Sequence, residues 1–119
     1  MTPHVFAYVI GASLALTPAL ALPQDTIKVG LGALGCTDVL RITGSASKES
    51  QMMLVSWVQG YFAGMNTVQG ALAPERGAKL IPDSDALLAY AVLLCKQSGS
   101  AKLIEVMTGL YPGLPDTRR

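Results

Sequence analysis

The sequence carries little charge. Only 14% of its 119 residues are charged, and nine basic against eight acidic side chains give a formal net charge of +1. Without an excess of positive charge to neutralise phosphates, the chain is not expected to bind nucleic acid. Half of the residues are apolar, which argues against disorder. The length and composition therefore indicate one small folded domain.

The N-terminal 21 residues lack every charged residue type. An apolar run of 12 residues, Val5 to Leu16, is broken by Thr17-Pro18 and followed by Ala19-Leu20-Ala21, which fits the small-x-small rule for cleavage. The run is shorter than the roughly 20 apolar residues that span a bilayer as a helix. We therefore expect residues 1–21 to be a secretory signal peptide that is cleaved after Ala21. The alternative is an uncleaved membrane anchor.

Histidine is almost absent. His4 is the only one, and cleavage after Ala21 would remove it and leave 98 residues. The mature chain would then have no imidazole for general-base catalysis, for a Ser-His-Asp or Cys-His site, or for binding a metal. Asp83 and Asp85 form a carboxylate pair, but capping of a helix explains them better. We predict that the protein is not an enzyme and has no catalytic residue, metal site or cofactor.

Cysteine is also scarce. Cys36 and Cys95 are the only two, too few to form a structural zinc site alone. In an exported chain they most simply form one disulfide, which would close a ring of 60 residues. Chain-entropy arithmetic gives such a ring roughly 4 kcal/mol of stabilisation. The alternative is a redox or nucleophilic cysteine, but the chain has no Cys-x-x-Cys motif and no histidine to activate a thiolate.

Hydrophobic periodicity predicts about four helices. They cover residues 36–42, residues 48 to about 71, a third stretch that begins at Asp83 or Ser84 and stops at Ser98-Gly99, and a last stretch that Ser100 caps. The predicted fold is a small, all-α, single-domain helical bundle with one disulfide. Residues 22–35 are expected to be a flexible lead, 36–111 the helical domain and 112–119 a polar tail.

A run of 25 consecutive residues without a charge, from Ser50 to Pro74, covers most of the longest predicted helix. Its glycines and polar side chains would be costly in lipid, so we predict a buried central helix and no stable membrane span. Ser56, Gly60 and Gly64 recur every four residues, which lets another helix approach closely. We expect such packing within the chain, because it would offset the roughly 1 kcal/mol of helix propensity that each glycine loses relative to alanine.

Three segments carry a family pattern. They are Cys36-Thr37-Asp38-Val39-Leu40, the ten residues Trp57–Asn66 with their Trp-x-x-Gly-Tyr-x-x-Gly spacing, and Leu88-Ala89-Tyr90 through Cys95. With a closing helix, this order is similar to the HdeA/HdeB group, small periplasmic acid-stress chaperones of Gram-negative bacteria. The resemblance covers roughly Cys36 to Leu110. Where the family has Asn-Pro after its second cysteine, this chain has Gln97-Ser98-Gly99.

The resemblance implies a periplasmic helical bundle that is a dimer near neutral pH. In acid, such dimers dissociate, partly unfold and hold denatured client proteins without ATP. Protonation of the eight carboxylates would raise the side-chain charge of this chain from +1 to +9, which favours expansion.

Methionine and aromatic side chains suit adaptable contacts with many partners. The candidate contacts for clients or for a homodimer are Met52, Met53, Trp57, Tyr61, Phe62 and Met65. We expect these side chains to form the core of the folded bundle and to become available when acid opens it. The alternative function is an exported immunity or inhibitor protein that binds a single toxin or hydrolase.

Overall fold

A computed structural model describes residues 30–117, which form four α-helices and no β-strand. The helices are α1 (Cys36–Thr43), α2 (Lys48–Leu72), α3 (Ser84–Gln97) and α4 (Leu103–Leu110). Single turns of 3-10 helix occur at Gly30–Ala33, Pro74–Arg76 and Tyr111–Gly113. The predicted all-α fold is confirmed. The expected signal peptide, residues 22–29 and residues 118–119 lie outside the described residues.

Side chains cap the starts of three helices. Ser47 accepts a hydrogen bond from the Ser50 amide at α2, and Asp83 accepts one from the Ala86 amide at α3, at 2.9 Å. At α4, Glu105 accepts from the Lys102 amide at 2.8 Å. The predicted cap at Ser100 is therefore wrong, because a glutamate in the first turn reaches back and sets the helix start at Leu103.

The predicted disulfide is confirmed. Cys36 opens α1, Cys95 lies near the end of α3, and their Cα atoms are 4.9 Å apart. Both sulfurs belong to the buried core. Backbone hydrogen bonds from Cys36 to Ala101 and from Leu103 to Leu34, each 2.9 Å, add the start of α4 to the same end of the fold.

A single core joins all four helices. Its most buried side chains come from α1, α2, α3, α4 and the segment that follows α4. They are Cys36, Val39, Leu54, Val55, Val58, Phe62, Leu87, Ala91, Cys95, Leu103, Met107, Tyr111 and Leu114.

The end of the predicted flexible lead packs against the helices. Gly32 is buried under the Trp57 ring, and a Cβ at this position would lie 2.4 Å from a ring carbon. Only glycine permits this approach without displacing the indole. Residues 30–35 therefore belong to the folded domain.

The described part of the predicted polar tail is also packed. Leu114 is buried, and the Asp116 carboxylate lies 2.9 Å from the Lys79 ammonium. The Leu80 amide donates to Pro115 O at 2.7 Å, and the Thr117 amide donates to Ala78 O at 2.9 Å. Residues 114–117 thus hold the loop between α2 and α3 in place.

Helix α2 is buried on one side only, which corrects the expectation of a buried central helix. Its inner face supplies Leu54, Val55, Val58 and Phe62 to the core, and its opposite face is exposed. The physical reason is that α1, α3 and α4 share a single core with the Leu54–Phe62 side of α2. At 25 residues α2 is about 37 Å long, whereas α1 and α4 have eight residues each and α3 has 14, so its ends also extend beyond them. None of the described helices has the length and apolar character needed to cross a membrane.

Candidate functional site

The exposed side of α2 carries no charged residue between Ser50 and Pro74. We call it the outer face. It is a strip of exposed positions at four-residue steps that winds around α2, because each step advances about 40° around a helix of 3.6 residues per turn: Met52, Ser56, Gly60, Gly64, Val68 and Leu72. A helix on the surface of a soluble protein usually turns charged residues towards the solvent. An uncharged, partly apolar exposed face is instead typical of a binding surface.

The N-terminal part of the outer face forms a shallow depression of about 600 Å³. We call it the methionine surface, and its residues are Leu31, Met52, Met53, Ser56 and Trp57, with Glu49 at its edge. Met52 and Met53 are 68% and 55% exposed. The 3-10 turn Gly30–Ala33 positions Leu31 here, because Gly32 seats that turn under the Trp57 ring.

The C-terminal part of the outer face borders a second depression of about 670 Å³. We call it the C-terminal groove. Its apolar portion consists of Gly60, Tyr61, Gly64, Met65, Val68 and Leu72. Arg76 and Tyr111 also line it, and Leu72 is 81% exposed.

A hydrogen-bond network fixes the wall behind this groove. The Tyr111 hydroxyl donates to Asn66 Oδ1 at 2.6 Å, and the same oxygen accepts from the Lys79 amide at 2.8 Å. Asn66 Nδ2 donates to Lys79 O at 2.9 Å, and Gln69 Nε2 donates to Gly77 O. Burial raises the pKa of Tyr111, an effect that Lys79 opposes and Asp116 reinforces. The phenol therefore stays protonated and remains a donor at neutral pH.

The six predicted contact residues do not form one site. Phe62 lies in the core, so it is not available to a partner in the folded state. Trp57 and Tyr61 are half-buried and stack with their ring centroids 5.2 Å apart. Met65 is half-buried beside the C-terminal groove. The expectation that all six are core side chains is wrong for Met52 and Met53, because nothing in residues 30–117 covers that side of α2.

The small-residue stripe does not pack another helix within the described residues, contrary to expectation. Ser56, Gly60 and Gly64 are exposed. A Cβ built on Gly60 or Gly64 would meet nothing within 4 Å. The four-residue spacing is present, but the three residues lie on the side of α2 that faces away from α1, α3 and α4.

No group of three or more metal-ligating side chains occurs within residues 30–117. Both cysteines are consumed by the disulfide, and Asp83 is engaged as the α3 cap. The described part of the chain thus shows no arrangement for metal chemistry.

Sequence reasoning missed Leu31, Val68, Leu72, Arg76 and Tyr111 as surface-forming residues. A signal for two of them was present, because Val68 and Leu72 continue the four-residue series that begins at Met52. The positions of Leu31, Arg76 and Tyr111 depend on where three separate turns fold back on α2, which no local pattern reports.

The chain matches no protein-family model, no curated protein and no solved structure. A functional assignment therefore rests on its own residues and surfaces.

Proposed function

We propose that the protein is an exported, ATP-independent holdase that binds apolar segments of unfolded proteins through the methionine surface during acid stress. The observation that carries the proposal is the exposure of Met52 and Met53 beside Leu31 and Trp57 on an otherwise folded domain. Large exposed apolar side chains gathered in one patch are typical of a protein-binding surface.

Methionine suits a site that must accept many sequences. Its unbranched, polarisable side chain adapts to irregular apolar partners, and its sulfur also makes favourable contacts with aromatic rings. The neighbouring Trp57 indole offers a rigid apolar wall. Surfaces of this kind bind promiscuously because they can repack around different ligands.

The charge distribution supports activity in acid. Protonation removes the Asp38–Arg41 pair at 3.1 Å and the Lys79–Asp116 pair at 2.9 Å, and it weakens the caps at Asp83 and Glu105. Among residues 30–117, Glu49 is the only ionisable group that lines the methionine surface. Met52 and Met53 are exposed in the folded domain, so client binding does not require the domain to unfold.

Two features support export. A buried disulfide persists in an oxidising compartment such as the periplasm. The uncharged N-terminal segment with its small-x-small site has the pattern of a signal peptide. The resemblance to the HdeA/HdeB group adds acid stress as the condition.

The test is aggregation of an acid-denatured client, followed by light scattering, with the oxidised protein purified after export. We expect suppression at about pH 2.5, where carboxylates are protonated, and little at pH 7, where the client is folded. The double variant Met52→Gln/Met53→Gln should lose most of this suppression. Leu80→Gln/Leu93→Gln is the matched control, because these side chains are 56% and 52% exposed but lie outside the methionine surface.

Two outcomes would contradict the proposal. Absence of suppression by the wild-type protein at both pH values would remove the holdase function and favour the inhibitor alternative. An equal loss in the two double variants would show that clients do not select the methionine surface.

A further inference from the structure

We propose that the C-terminal groove binds a single-chain anionic amphiphile of the long-chain carboxylate class. The acyl chain lies along α2, and the carboxylate pairs with Arg76. This site is separate from the methionine surface, so the inference does not rest on the holdase proposal.

The apolar part of the groove fits an acyl chain. Val68 and Leu72 are exposed large side chains, Tyr61 and Met65 lie half-buried beside them, and Gly60 and Gly64 leave the helix backbone uncovered. The groove volume of about 670 Å³ is within the 300–1,000 Å³ that is usual for small-molecule sites. From Gly60 to Leu72, the end of α2, the helix covers about 18 Å, so the occupant is elongated.

The polar end of the groove carries an uncompensated positive charge. Within residues 30–117 Arg76 has no ion-pair partner, whereas the nearby Lys79 ammonium is paired with Asp116 at 2.9 Å. A guanidinium binds a carboxylate through two parallel hydrogen bonds. The free cation therefore selects an anionic head group over a neutral or cationic one.

The apolar and polar parts form one continuous surface. A second depression of about 450 Å³ is lined by Lys79, Pro112 and Asp116, and it shares Gln69, Arg76 and Tyr111 with the groove. A chain in the groove thus ends directly where the head group meets Arg76. A ligand with an acyl chain but no anionic group would leave Arg76 unpaired, and a small anion would leave the apolar groove empty.

The loop that carries Arg76 is held in place before any ligand arrives. Asn66 and Gln69 of α2 hydrogen-bond to Lys79 and Gly77 on its far side, and the Arg76 amide donates to Ala73 O at 3.0 Å. Gly77 has φ of 71°, a left-handed conformation that glycine adopts without strain. The loop therefore loses little conformational freedom on binding, which favours affinity.

The test is isothermal titration of the oxidised full chain with laurate, below the concentration at which laurate forms micelles, at about pH 8 where the carboxylic acid is ionised. Dodecanol and dodecyltrimethylammonium have the same chain length with a neutral and a cationic head group, so they test the contribution of charge. Butyrate keeps the carboxylate and shortens the chain, so it tests the contribution of the acyl chain. We expect micromolar affinity for laurate, weaker binding of dodecanol, and no binding of the cation or of butyrate.

Two variants with matched controls assign the site. Arg76→Gln should weaken laurate binding by about tenfold to a hundredfold, the range for a lost charged hydrogen bond, and leave dodecanol unchanged. Arg41→Gln is its control, because Arg41 is an exposed arginine on α1. Gly64→Leu should block laurate and dodecanol alike, and its control is Gly109→Leu, since a Cβ meets nothing within 4 Å at either glycine.

Several results would overturn the inference. One is equal binding of laurate and dodecyltrimethylammonium, and another is an equal effect of Arg76→Gln and Arg41→Gln. If Gly64→Leu alters the circular dichroism spectrum, Val68→Gln replaces it, and unchanged laurate affinity in that variant also overturns the site. Met52→Gln/Met53→Gln should retain laurate affinity, and Arg76→Gln should retain suppression of aggregation, so the two proposals fail independently.

Discussion

At the scale of single residues, Tyr111 links the core to the surface network. Its ring lies 5.8 Å from that of Phe62, and its hydroxyl donates to Asn66. Burial raises its pKa above the value of about 10 that a tyrosine has in an unfolded chain. The folded state therefore binds the phenolic proton more tightly than the unfolded state does. The resulting contribution to the free energy of unfolding is present below about pH 10 and is lost as the pH rises through the folded-state pKa.

We expect Tyr111→Phe to have two effects. At pH 7 it should lower the free energy of unfolding by about 1 kcal/mol, because Asn66 loses a hydrogen-bond donor. Above about pH 10 the variant should lose stability less steeply than the wild type, since one linked proton is gone. Urea unfolding across this pH range measures both. If the free energy of unfolding falls equally steeply with pH above about pH 10 in the variant and the wild type, the second effect is contradicted.

At the scale of elements, two exposed glycines of α2 are expected to lower the stability of the helix. Gly60 and Gly64 lie in a long helix with open space around each Cβ position, so neither is needed for packing within the described residues. We expect Gly60→Ala and Gly64→Ala each to raise the free energy of unfolding by about 0.5–1 kcal/mol through helix propensity.

Gly32→Ala is the contrasting variant. Its new methyl group would meet the Trp57 ring at 2.4 Å, so we expect a loss of about 1–3 kcal/mol from overpacking. Urea unfolding of all three variants compares the two situations directly. Destabilisation by Gly60→Ala would show that the outer face packs against something in the folded protein.

At the scale of the whole molecule, we expect the disulfide to contribute a large part of the stability. Cys36 and Cys95 close a ring across a sequence separation of 59, so its loss should cost roughly 4 kcal/mol. A small domain has only about 5–15 kcal/mol in total. We expect Cys36→Ala/Cys95→Ala to unfold at a much lower urea concentration than the oxidised protein. A loss below about 1 kcal/mol would show that chain entropy is not the source of the stabilisation.

Much of the fold is readable from local patterns. The α3 start follows from Asp83, whose carboxylate accepts from the Ala86 amide. For α2, Ser45 and Ser47 both suit the cap by residue type, and the structure has Ser47 in that position. The disulfide follows from having only two cysteines. The α4 start is harder to predict, because Ser100 suits a cap by residue type, whereas the structure has Lys102 at the N-cap with Glu105 accepting a hydrogen bond from its amide.

The surfaces are less readable. A charge-free run such as Ser50–Pro74 has the same sequence whether its helix is covered on every side or on one. Met52 and Phe62 are both apolar residues of that helix, yet Met52 is 68% exposed and Phe62 is fully buried. The difference in exposure depends on which side of α2 the helices α1, α3 and α4 pack against.

Residue types along the chain are enough to predict the four helices, the start of α3 and the single disulfide pairing, because these depend on neighbouring residues and on a count of cysteines. The cap of α4, the side of α2 that stays exposed and the positions of Leu31 and Arg76 towards its two ends follow from how the helices and turns pack. The reason is geometric. The three shorter helices share one core with the Leu54–Phe62 side of α2, and the turns that precede α1 and follow α2 place Leu31 and Arg76 beside the part left uncovered.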